Sequence, residues 1–167
     1  MLNSKDVTLI DSENMFDEIK NFYLQIDKSF DIINKFNYKI DQHFDKIIIC
    51  GMGGSAIGGD FLASVLKNEI DLPIYINRNY TLPKWVNSLT LIIICSYSGN
   101  TEETISCYKE TTKNNFMPII ISSGGYLVKE AQKNNFPFIK LISGIQPRAA
   151  FGYSSSLLFL LLIKLNI

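Results

Sequence analysis

Five short apolar runs punctuate the chain beyond residue 45, at residues 46–50, 73–76, 89–95, 117–122 and 137–142. Each is rich in isoleucine and continuous rather than alternating, as expected for strands covered on both faces. Helical stretches separate most of them, at about residues 55–67, 101–114 and 126–133. Strand and helix in repeated succession predict an α/β fold with a mostly parallel five-stranded sheet and helices on both faces. Pro118 and Pro137 suit strand entries, where a missing backbone donor does little harm.

The first 42 residues have a different rhythm. Met15, Ile19, Phe22, Tyr23, Ile26, Phe30 and Ile33 recur at spacings of three and four. That pattern predicts an amphipathic helical arm, bent or broken before Phe36 and Tyr38, with the stripe as its packing face. Residues 43–153 then form the α/β domain. Residues 154–167 read as the start of a helix that is apolar on every side, from Leu157 to Ile163. Seven residues fall far short of the roughly 20 a membrane span needs. The expectation is instead that this helix leads towards a further layer, supplied by a second domain or another subunit.

Composition narrows the function. Sixteen Lys and Arg balance sixteen Asp and Glu, which argues against a general nucleic-acid surface, since such surfaces neutralise phosphates with cations. The N-terminal residues lack a basic region followed by an apolar run, so no secretory signal is expected. Three cysteines without CxxC spacing predict free buried thiols in a reducing cytoplasm.

Ligands of open parallel sheets gather where strands hand over to helix N-termini. Three handovers here stand out. In Cys50-Gly51-Met52-Gly53-Gly54-Ser55, glycines allow close backbone approach and Ser55 can cap the helix or bind an anion. The spacing fits neither the dinucleotide GxGxxG pattern nor a Walker loop. Gly58 and Gly59 follow inside the helix, where close helix–strand packing would explain them. In Ser96-Tyr97-Ser98-Gly99-Asn100-Thr101, three hydroxyls surround one glycine. A phosphate monoester is nearly a dianion at neutral pH, and hydrogen bonds to charge contribute about 1.5–3 kcal/mol each. Such a cluster needs no lysine. In Gln146-Pro147-Arg148, Arg148 opens the last helix against its dipole, which suggests a role on a phosphate or a developing enolate oxygen. Ser122-Ser123-Gly124-Gly125 reads as a flexible loop near the site.

Taken together, GMGGSAIGGD, SYSGNTEET and QPRAAFGY resemble the sugar isomerase (SIS) domain, and more narrowly the N-terminal half of the bifunctional phosphoglucose/phosphomannose isomerases. The resemblance runs from about Lys46 to Tyr153. It implies a flavodoxin-like three-layer sandwich. It further implies that Gly53, Gly54, Ser55, Ser96, Ser98 and Thr101 line a sugar-phosphate site and that Arg148 stabilises an enediolate. The reaction implied is interconversion of glucose 6-phosphate or mannose 6-phosphate with fructose 6-phosphate, with no metal or cofactor and no nucleic acid or membrane partner. Family members carry the catalytic Glu, and the ring-opening His and Lys, on a second SIS domain. The expectation is therefore half an enzyme, completed by that domain or by a homodimer partner. A non-catalytic module that senses sugar phosphates is the alternative. His43 precedes the first strand, away from the loops, and is expected to be structural; Glu102 and Glu103 sit poorly for a base.

Overall fold

The computed structural model describes residues 10–167. Every isoleucine-rich run becomes a strand: β1 (Lys46–Gly51), β2 (Ile74–Asn77), β3 (Thr90–Cys95), β4 (Ile119–Ser122) and β5 (Phe138–Lys140). They pair in the order β2-β1-β3-β4-β5, all parallel. The helices are α1 (Met15–Lys20), α2 (Phe22–Asn34), α3 (Gly54–Leu66), α4 (Glu102–Lys113), α5 (Gly125–Asn134) and α6 (Phe151–Lys164). The expected α/β class and the parallel five-stranded sheet are both present.

Alternate residues of each strand serve opposite faces, which explains why the runs are apolar throughout. Ile47, Ile49, Leu91, Ile93, Ile119 and Ile121 face one core with Leu62 of α3 and the leucines of α6. Ile48, Ile92, Ile94 and Ile120 face the other, against Cys107 and Tyr108 of α4 and Leu127 and Ala131 of α5. Each such fully buried side chain contributes about 1.5–3 kcal/mol relative to exposure.

The terminal helix is largely covered from within. Leu157, Leu158, Leu161 and Leu162 of α6 are buried, and α6 lies between α2 and α3 on the sheet. Most of the cover of its leucines comes from this chain, through the arm helix α2 and through α3. Ile163 alone among its apolar residues stays largely exposed, at 66%.

The arm also turns differently from its pattern. The helix breaks at Asn21, between α1 and α2, as well as ending before Phe36. The buried face of α2 is Gln25, Ser29 and Ile33, while Ile19, Tyr23, Ile26 and Phe30 point outward. Approach distance decides this. Gly152 of α6 leaves no room for a Cβ, which would lie 2.8 Å from the Gln25 side chain. Ser29 folds its hydroxyl back onto the Gln25 carbonyl at 2.7 Å. A face of small and polar residues brings the helix axes close, and bulky Phe30 or Tyr23 would hold them apart.

The two helical glycines are explained by different neighbours. A Cβ on Gly59 would lie 2.9 Å from Ile76 and 3.2 Å from Ile49, the helix–strand packing expected; one on Gly58 would lie 2.8 Å from the Ser154 backbone of α6. Gly58 therefore serves a helix–helix contact. His43 is exposed at the entry to β1, so it has no packing role. No described helix is long and apolar enough to cross a membrane.

Replacing Gly58 by Ala should lower stability by about 1–3 kcal/mol in urea unfolding, because overpacking outweighs the roughly 1 kcal/mol gain in helix propensity. Unchanged stability would show that α3 and α6 can separate freely. Cys50, Cys95 and Cys107 are free and buried, and burial pushes the Cys95 thiol up to about 12. An aromatic disulfide reagent at pH 8 should find no fast-reacting thiol in the folded protein and all three after unfolding.

Candidate functional site

The three handover loops predicted from sequence lie at the carboxyl ends of β1, β3 and β5 and touch one another. Gly53 takes φ +49, which favours glycine, and its missing Cβ faces open space. Gly54 has the opposite reason: a Cβ there would lie 2.8 Å from the Pro147 carbonyl oxygen and 3.3 Å from the Arg148 Cα. The first loop is thereby seated directly on the third. Ser55 makes no cap to its own helix. Its Oγ instead accepts the Tyr97 N–H at 3.1 Å, joining the first loop to the second.

Within the second loop the hydroxyls divide their work. Ser96 is buried, and its Oγ accepts the Gly99 N–H at 3.1 Å. It also shares a hydrogen bond with Thr101 Oγ1 at 2.9 Å. Thr101 occupies the N-cap position of α4 without a side-chain cap bond, its hydroxyl being held by Ser96. When Ser96 donates in that pair, the Thr101 proton is left for the open side. Ser98 is exposed, and its Oγ accepts the Asn100 N–H at 3.2 Å. Ser55 and Ser98 each accept one amide, so each keeps its own O–H to donate. The first amides of α4 lack intrahelical partners by construction and carry the positive end of the helix dipole. The assembly presents hydroxyls and backbone amides, a donor set suited to an anion.

The Ser122–Gly125 segment is a buttress rather than the flexible loop expected. Ser123 donates its N–H and its hydroxyl to the Tyr97 carbonyl at 3.0 and 2.6 Å. The Leu127 and Tyr126 amides bond the Gly99 carbonyl and the Asn100 side chain at 3.1 and 2.9 Å. Gly99, at φ +69, is pressed against this segment: a Cβ there would lie 1.9 Å from the Gly124 oxygen. Two glycine-bearing backbones interlock where any side chain would separate them.

Arg148 is not in the first turn of α6. It lies in the preceding turn, with Ala150 as N-cap, so the dipole penalty expected for it is weaker than a first-turn position would give. The Arg148 side chain is 75% exposed and its guanidinium stands 3.8 Å from Glu13, a surface pair worth about 0–1 kcal/mol. Its backbone is held from below. Gln25 of the arm donates to the Ala149 carbonyl at 2.8 Å from a buried position.

Three contributors escaped the sequence reading. Tyr97 carried no signal beyond its place between two serines, yet it bonds the first, third and buttress segments. Its hydroxyl donates to the Ile142 carbonyl and accepts the Ile145 N–H, both at 2.9 Å. Burial pushes its ionisation upward, the Ile145 amide opposing, so the phenol stays protonated near neutrality. Gln25 was hidden because its partner lies 124 positions away. Asn100 could have been suspected from its place before a helix start. A cleft of about 660 Å³ lies elsewhere, between α2 and β5, and includes none of the predicted site residues. Among the described residues, no group of three or more His, Cys, Asp or Glu side chains is placed to hold a metal ion.

The sheet order and the helix layers are those of the SIS, flavodoxin-like α/β fold. A solved Clostridium difficile protein assigned as a phosphosugar isomerase superposes with a TM-score of 0.72 at 17% identity, covering 90% of this chain and 45% of the other. Sequence relatives of this chain include bifunctional phosphoglucose/phosphomannose isomerases. That of Caldicellulosiruptor bescii is 46% identical over 122 residues, covering 73% of this chain and 36% of the relative. That of Aquifex aeolicus is 37% identical over 111 residues, covering 66% and 35%. The chain thus spans about a third of the length of the curated relatives it matches. No family model matches it.

Gly99→Ala should cost more than Gly58→Ala, because it adds a strained φ to a backbone clash, about 2–4 kcal/mol in all. Equal costs in parallel urea titrations would show that the two loops separate easily.

Proposed function

We propose that this chain is the sugar-phosphate-binding part of an aldose–ketose isomerase that interconverts glucose 6-phosphate or mannose 6-phosphate with fructose 6-phosphate. The observation that carries the reading is the meeting of three donor-rich loops at one edge of the sheet, tied by Ser55 to Tyr97 and by Gly54 to Pro147. The homology to phosphoglucose/phosphomannose isomerases supports it.

In this reading Ser55, Ser98 and Thr101, with the amides around Gly53, Gly54 and the start of α4, hold the phosphate. Ser96 holds Thr101 in place from inside. With the phosphate anchored, the sugar extends towards Arg148, whose cation stabilises the enediolate oxygen that forms when a proton leaves C2 or C1. A general base and a group to open the ring complete the chemistry. A second SIS domain or a second copy supplies them, since Glu102 and Glu103 open the helix that binds the phosphate. The assembly works in the cytoplasm, where the buried thiols stay reduced.

Calorimetric titration of the chain with fructose 6-phosphate should show binding, weakened about 10–100-fold by Ser98→Ala or Thr101→Ala. Unchanged titrations for both would remove the phosphate loop from the account. A coupled isomerase assay should find turnover when the completing half is added and none without it. Arg148→Ala should then bind fructose 6-phosphate nearly normally and lose turnover. Binding without turnover, even with the completing half, would favour a sensing module.

A further inference from the structure

The turn that delivers Arg148 is closed by a side chain from another loop. Ile142 and Ile145 stand as first and fourth residues of a turn whose third residue, Gly144, has φ +93. In a closed turn the first carbonyl would accept the fourth amide directly. Here the Tyr97 hydroxyl sits between them, accepting from Ile145 and donating to Ile142, each at 2.9 Å. One water-sized group thus widens the turn, and Gln146, Pro147 and Arg148 follow immediately after it.

Tyr97 is itself fixed at the backbone. Its N–H is held by Ser55 and its carbonyl by Ser123. The phenol therefore measures the distance from the phosphate loop to the turn that carries the arginine. We propose that Tyr97 is a positioning residue that sets Arg148 at the reach of the sugar's C1–C2 unit while making no contact with the phosphate. This rests on the role assigned to Arg148 under Proposed function. Phosphate affinity and affinity for the enediolate unit are then separable properties of one site.

Tyr97→Phe keeps the ring and removes the bridge. Gly144→Ala perturbs the same turn independently, since its Cβ meets nothing within 4 Å and only the backbone angle resists. Two probes are titrated into the chain. Inorganic phosphate tests the loop alone. A phosphorylated sugar hydroxamate, which carries the planar anionic unit of an enediolate, tests loop and arginine together. Both variants should bind phosphate within about twofold of the parent and the hydroxamate about tenfold more weakly. Unchanged hydroxamate binding in both, or equal weakening of both probes, would overturn the proposal. Amide hydrogen exchange at Ile145 gives a readout that needs no ligand and should quicken in Tyr97→Phe. Unchanged exchange there refutes the bridge, whereas a parent chain that binds neither probe refutes the proposed function instead.

Discussion

Close backbone contact between loops is the constraint from which the rest follows. At two places, Gly54 against Pro147 and Gly99 against Gly124, a single added methyl group would collide with a carbonyl oxygen. These contacts fix loops that come from three strand ends and one buttress. A parallel sheet makes them possible by delivering all its strand ends to one edge. The isoleucines beneath are buried on both faces, so the strand ends stand on a rigid base.

The same economy of side chains appears below the loops. Gly152 lets the arm approach α6, and Gln25 uses the approach to hold the turn containing Arg148. The arm, whose sequence pattern predicts only a packing face, is thus mechanically part of the loop cluster. Its outward aromatic and aliphatic residues are the cost of choosing the small, polar face for contact.

Strand positions were legible in the sequence because burial on both faces leaves an unmistakable apolar run, as in residues 46–50 and 90–95. Loop candidates were legible because Gly, Ser and Thr cluster there for reasons of backbone access. The orientation of the arm was not legible. Periodicity reports an apolar stripe, but Gln25 and Ser29 won the buried face through a fit that depends on Gly152, far along the chain. Tyr97 was illegible for a related reason: a tyrosine's value as a bridge depends on two backbone atoms 45 and 48 positions away. That the arm covers much of α6 was not legible either, because one helix's apolar surface says nothing about which segment of the same chain will lie on it.

The Gln25–Ala149 hydrogen bond has a consequence for biosynthesis. The ribosome makes Gln25 long before the carbonyl that receives it, 124 residues later. At cellular elongation rates of about 5–20 residues per second, that interval is roughly 6–25 s. The two helices of the arm therefore emerge with nothing to dock on, and Ile33, buried against the α6 leucines once the domain is complete, stays open to whatever the nascent chain meets. Chaperone demand should fall on this arm until α6 has left the exit tunnel.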